Sequence, residues 1–192
     1  MTYPELLCKA VLSCVIFSCA PVSLFAAGTK ALDFAMDTCG AKGAVTPKEA
    51  IRKITEYLDS DEKWRYHSDE GRTSTCFYHK DFGDGTRENY FLYSKFWNGG
   101  EINCYDSACG IMVSSASLGL LTIAQYQIPW RTWSAHCYAV FSEKVYDACR
   151  ASNCPLTVEG DLYYYVNNPD LNGRKNGVPM WIELKEVKGN TL

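Results

Sequence analysis

Apolar positions along this chain fall into three kinds of pattern. The first is helical. Ala50, Ile51, Ile54, Tyr57 and Leu58 recur at the three- and four-residue spacing of one helix face. Thr46-Pro47-Lys48-Glu49 stands just before them. Threonine caps a first turn, proline suits the first helical position, and Glu49 completes a capping box. A second helix is predicted from Thr132 to Cys149, with Trp133, Cys137, Val140, Phe141, Val145 and Ala148 as its apolar stripe. The second pattern is a series of short runs rich in aromatic and β-branched residues. It predicts strands over 63–67 and 73–79, then a hairpin signal at Asp84-Gly85 leading into 88–96. Asn98-Gly99-Gly100 marks a turn before a strand over 101–105, and 110–114 reads as a further strand. Residues 161–166 and 178–187 read as the last strands. In the latter, Met180, Ile182 and Leu184 face one way, and Trp181, Glu183 and Lys185 the other. Residues 115–129 show no deciding period. These elements predict an α+β fold: an antiparallel β-sheet with two helices packed on one face.

The third pattern is an apolar run from Ala10 to Phe25, broken by Pro21, preceded by Lys9 and followed by the small residues Ala26, Ala27 and Gly28. A short charged start, an apolar middle and a small-residue cleavage site make a secretory signal peptide over residues 1–27. A membrane anchor fits less well, because a spanning helix needs about 20 apolar residues and this run is interrupted by Pro21. No second run of this kind follows, so no membrane span is expected after cleavage. Residues 28–192 then form a single secreted, extracellular domain, without internal repeats or long linkers.

Export changes the meaning of the cysteines. Of ten, Cys8, Cys14 and Cys19 leave with the signal. Cys39, Cys76, Cys104, Cys109, Cys137, Cys149 and Cys154 remain, and in an oxidising compartment these are disulfide candidates. An odd number leaves one thiol over. Cys104 with Cys109 and Cys149 with Cys154 are each five apart, so local pairs and pairs across the fold are both open. No CxxC spacing suggests zinc, and neither a metal nor a cofactor is expected. The chain has no Asn-x-Ser/Thr triplet. A formal net charge of −3, with basic residues scattered, argues against nucleic acid as a partner.

Candidate catalytic chemistry is sparse. Of three histidines, His67 and His79 stand at the ends of predicted neighbouring strands. With Glu70 and Arg65 or Arg72 they make up the inventory of a ribonuclease-like hydrolase: base, acid and phosphate-binding cation. The plainer reading makes them hairpin residues. His136-Cys137 pairs a base with a thiol in sequence, yet adjacent helical residues do not face each other. Asp59, Asp61 and Glu62 lack the full spacing of a calcium loop. Aromatic residues carry the stronger hint, because one layer of helices covers only one face of a sheet. Rings left on the open face become binding anchors, with Tyr163, Tyr165 and Trp181 among the candidates; Tyr90 and Tyr93 belong to a similar run, and Trp130 and Trp133 flank Arg131.

Trp64-Arg65-Tyr66, after a capped helix and before Cys76, resembles the motif of the Leptosphaeria avirulence and suppressing (LARS) family of secreted effectors from plant-pathogenic fungi. That resemblance covers about residues 46–76. It implies a disulfide-stapled antiparallel sheet with helical cover, and a non-enzymatic virulence protein recognised by plant resistance proteins. It also implies that Trp64, Arg65 and Tyr66 contribute to binding an unidentified host protein. Glu101-Ile102-Asn103-Cys104 and the Cys149–Cys154 pair are similar to segments of KP4-type fungal killer toxins, although the wider Cys149–Cys154 spacing departs from that pattern. The sequence therefore leads to a secreted virulence effector acting by binding, with a small secreted enzyme or a killer-type toxin as alternatives.

Overall fold

The computed structural model describes residues 29–60, 63–66, 74–128, 136–148, 159–162 and 178–191. The signal segment 1–27 lies outside these, as do His67, Glu70, Arg72, Trp130, Trp133, Cys149, Cys154, Tyr163, Tyr164 and Tyr165.

Helix α1 (Lys30–Asp33) is capped by Thr29, whose Oγ1 accepts from the Leu32 N–H at 3.2 Å, and it continues into a π-helical turn, Phe34–Thr38. Helix α2 (Pro47–Asp59) starts as its sequence predicts: Thr46 Oγ1 accepts from the Glu49 N–H at 3.2 Å, with Pro47 in the first turn. Glu49 returns its carboxylate to the Val45 N–H at 2.9 Å, one residue before the cap. Of the predicted stripe, Ala50, Ile51, Ile54 and Leu58 are buried and Tyr57 is half-buried against them; Thr55 joins them, its hydroxyl donating to Ile51 O at 2.8 Å.

Three sheets follow. Strand β1 (Trp64–Tyr66) pairs in parallel with β4 (Gly100–Ile102). Strands β2 (Phe77–Asp81) and β3 (Arg87–Leu92) form the hairpin foreseen at Asp84-Gly85, and β10 (Leu184–Lys188) lies parallel to β3 on its other side. The third sheet is fully antiparallel. Its order is β8 (Glu159–Asp161), β7 (Lys144–Tyr146), β6 (His136–Phe141), β5 (Ile123–Ile128) and β9 (Val178–Trp181). Helix α3 (Tyr93–Asn98) follows β3, and α4 (Cys104–Ser117) lies across β5 and β6 with α2 packed on it. The α+β class stands, but the parallel pairs show that the strands do not make one antiparallel sheet.

Several elements differ from the sequence reading for identifiable reasons. No helix runs over residues 136–148: this stretch is the β6–β7 hairpin, turning through Ser142 and Glu143 at φ of 49° and 66°. Cys137 and Ala139 face α4, while His136, Tyr138 and Val140 face the other way, and all five are buried. A strand covered on both faces reads as a continuous apolar run, which mimics a buried helix. The strand expected at 110–114 is the middle of α4. Its start is a capping box, with Asn103 Oδ1 accepting from the Asp106 N–H at 3.1 Å. The strands expected over 88–96 and 101–105 end at Leu92 and Ile102, where α3 and the α4 cap begin. The run 178–187 divides between two sheets, β9 and β10, with Ile182 and Glu183 at the crossing. Its alternation holds there: Trp181 and Glu183 are exposed, and Ile182 is buried.

No disulfide joins the described cysteines to one another. Cys39, Cys76 and Cys109 are thiols, and the expected staple is not formed among the described residues. Cys104 and Cys137 are buried in the main core, which α1, α2, α3 and α4 build with the inner sheet residues.

Candidate binding face

The motif that carries the effector resemblance is largely interior. Trp64 is 1% exposed. Its indole N–H donates to Phe96 O at 2.9 Å, and its ring stacks on Phe96 at 5.1 Å with Phe34 edge-on at 5.2 Å. Trp64 therefore cannot contact a partner without unpacking the core. Arg65 is exposed beside it, and Tyr66 pairs with Ile102 through the backbone.

The histidines do not converge. His79 lies on β2, exposed, with Nε2 at 3.6 Å from Asp81 Oδ2; the same carboxylate is held by Arg87 at 2.8 Å. His136 belongs to a different sheet. Its Nε2 is 2.6 Å from Asp147 Oδ2, and both residues are buried. Asp147 is a partner that no motif in the sequence announced. The His136-Cys137 pairing is ruled out by the strand, because the imidazole and the thiol point to opposite faces of the sheet. Burial also pushes the Cys39 thiol well above its ordinary pKa, and Cys76 to about 12, so neither is a ready nucleophile. Asp59 ends α2 at the surface, while Asp61 and Glu62 lie outside the described residues. Among the described residues no cluster of three or more His, Cys, Asp or Glu has metal-binding geometry.

The open aromatic surface divides into two parts. On the three-stranded sheet, Tyr78 and Tyr90 are cross-strand partners, with rings stacked at 5.1 Å and 11°. Lys188 Nζ covers Tyr90 at 5.1 Å, and the Tyr90 hydroxyl donates to Glu88 at 2.6 Å. That hydrogen bond, followed by burial, pushes the Tyr90 phenol up to about 12. These rings are engaged with one another, as cross-strand aromatic pairs commonly are.

The five-stranded sheet offers a freer surface on its face away from α4. Trp181, on edge strand β9, is 59% exposed. Its register partner is Gln125, and Ile123 lies two residues along on the same face. Ile123 is 37% exposed and Leu121, at the next alternate position, 79%. Ile123 pairs with Val140, which pairs with Val145. An apolar row thus crosses the sheet, from an open end at Trp181, Ile123 and Leu121 to a buried end where Tyr138, Val140 and Val145 pack with Leu162.

Asp106 is the most elaborately held polar group described. It is fully buried and accepts backbone N–H bonds from Thr75 at 2.9 Å, Cys76 at 2.8 Å, Phe77 at 2.7 Å and Asn103 at 3.3 Å. Burial pushes its carboxyl above the ordinary value, against the pull of those N–H groups. Its work is structural: it pins the start of β2 to the first turn of α4.

No family model, curated protein or solved structure matches the chain.

Proposed function

We propose that this is a secreted, non-enzymatic virulence effector that binds a host protein and is recognised by plant resistance proteins, with Trp181 anchoring the contact and its cysteines oxidised on export. The observation that carries the binding reading is the half-open tryptophan with exposed Leu121 and Ile123 at the open end of the sheet face turned away from α4. A large amphipathic ring with aliphatic neighbours is the composition of an interface hot spot. The effector class comes from the export signal and the resemblance around Trp64-Arg65-Tyr66. The test uses immobilised signal-free protein in plant leaf extract, comparing wild type with Trp181→Ala. A plant protein retained by wild type and lost by the variant supports the reading. Equal retention by both, or none by either, refutes it.

A hydrolase is the second reading, favoured by one observation: the 2.6 Å pair of His136 with Asp147, an imidazole oriented by a carboxylate. RNA cleavage by wild type that His136→Ala abolishes would establish it.

A further inference from the structure

Helix α4 decides a pairing that spacing alone left open. Residues five apart on an α-helix are separated by about 7.5 Å along the axis and about 140° around it. Their Cα atoms are therefore about 8.7 Å apart, beyond the ~7 Å that a disulfide spans. Cys104 and Cys109 are the first and sixth residues of α4, so they cannot bridge each other while that helix exists. Any bridge from Cys109 has to reach outside its own segment.

The Asp106 cradle shows where. Its carboxylate holds the backbone N–H of Cys76 at 2.8 Å, together with those of Thr75 and Phe77. Asp106 and Cys109 are three residues apart and so neighbours on one side of α4. Cys76 and Cys109 are both 1% exposed or less and belong to the same apolar core. We propose that, on oxidation, the Cys76 and Cys109 thiols become joined by a disulfide that fastens the start of β2 to α4, at the junction Asp106 already holds. The proposal rests on the export reading for its oxidising environment.

In the reaction both thiols lose a proton, one electron pair is passed on, and an S–S bond forms between Cys76 and Cys109. A disulfide donor in the export compartment accepts the pair and is released as two thiols. The electrostatic neighbours of Cys109 agree with the placement: after burial, its thiol is raised by Asp106, Cys104 and Cys76. Thiols held so far toward the protonated form react slowly once the core has closed. The bond therefore forms while the chain is still folding.

The experiment is a disulfide map that does not depend on export. Denatured, reduced signal-free protein is refolded in a buffer of reduced and oxidised glutathione, alkylated, digested without reduction and read by mass spectrometry. The expected result is a peptide pair linking Cys76 to Cys109, and no link from Cys104 to Cys109. Alkylated thiols at Cys76 and Cys109, or any other partner for Cys109, overturn the proposal. N-terminal sequencing of the protein released from a secreting host tests the export reading separately.

Discussion

Replacing Asp106 by alanine removes the acceptor for four backbone N–H groups at once. Three of those bonds are 2.9 Å or shorter, and one of the three donors, Cys76, is fully enclosed. Hydrogen bonds to a charged group contribute about 1.5–3 kcal/mol each, a net value because folding exchanges bonds to water for them. Taking about 1.5 kcal/mol for each of the three short bonds gives roughly 4–5 kcal/mol. The wild-type side chain also bears the cost of desolvating its charge, visible in the raised pKa. Relief of that cost offsets part of the loss, leaving about 3 kcal/mol of destabilisation. The Asp106→Asn substitution rescues little, since the amide keeps one acceptor oxygen but turns an N–H₂ donor toward N–H donors. The sign of the pH dependence follows from the same shift. A carboxyl whose folded pKa lies above its unfolded one contributes most below the unfolded value, and that contribution declines as pH rises through the folded value. Urea unfolding of wild type and Asp106→Ala should therefore give a larger difference at pH 4 than at pH 7, with unchanged m. A difference below about 1 kcal/mol at both pH values, or one that grows with pH, would refute this account of the cradle.

Other substitutions probe separate parts of the fold. A Cβ at Gly110 would meet the Phe96 ring at 2.3 Å, and because Phe96 is locked in the aromatic core, Gly110→Ala should cost about 1–3 kcal/mol in urea unfolding. Glu143 holds φ of 66° in the β6–β7 turn, so Glu143→Gly should stabilise by up to about 1 kcal/mol, seen as a raised Tm. His136→Ala deprives buried Asp147 of its 2.6 Å contact and should destabilise by about 3 kcal/mol in the same assay. Trp181→Ala, by contrast, should change stability by no more than about 0.5 kcal/mol while abolishing retention of the host protein.

Helix α2 was legible because its signals are local and agree: a threonine cap, a proline at the right place and one apolar stripe over a polar face. The β2–β3 hairpin was legible for the same reason, through Asp84-Gly85 and the runs beside it. Helix α4 was not. It is buried on nearly every side through small residues such as Ser107, Ala108, Gly110, Ser114 and Ser115, so no 3.6-residue contrast survives. Only its Asn103-x-x-Asp106 start was available as a clue. The β6–β7 hairpin was hidden by the complementary effect, two covered faces that erase the period of two. Of the candidate site, Trp181 was readable from strand alternation, whereas Trp64 was misplaced because a motif says nothing about burial. The His136–Asp147 pair joins residues of adjacent strands whose pairing was invisible while the segment read as helix.

The end of the chain closes what its beginning opens. Asn190 accepts the Lys30 N–H at 2.8 Å through its carbonyl and the Ala31 N–H at 2.9 Å through its side chain, and Thr191 bridges to Thr29. Strand β10 meanwhile completes the sheet begun by β2 and β3. Neither the seating of α1 nor the third strand of that sheet exists until residues 184–191 have been synthesised. Acquisition of the native state thus waits for residues 184–191, and a ribosome-bound nascent chain lacking them should remain open to proteases at helix α1. Long-range closure of this kind slows folding, because distant segments must meet before their contacts stabilise.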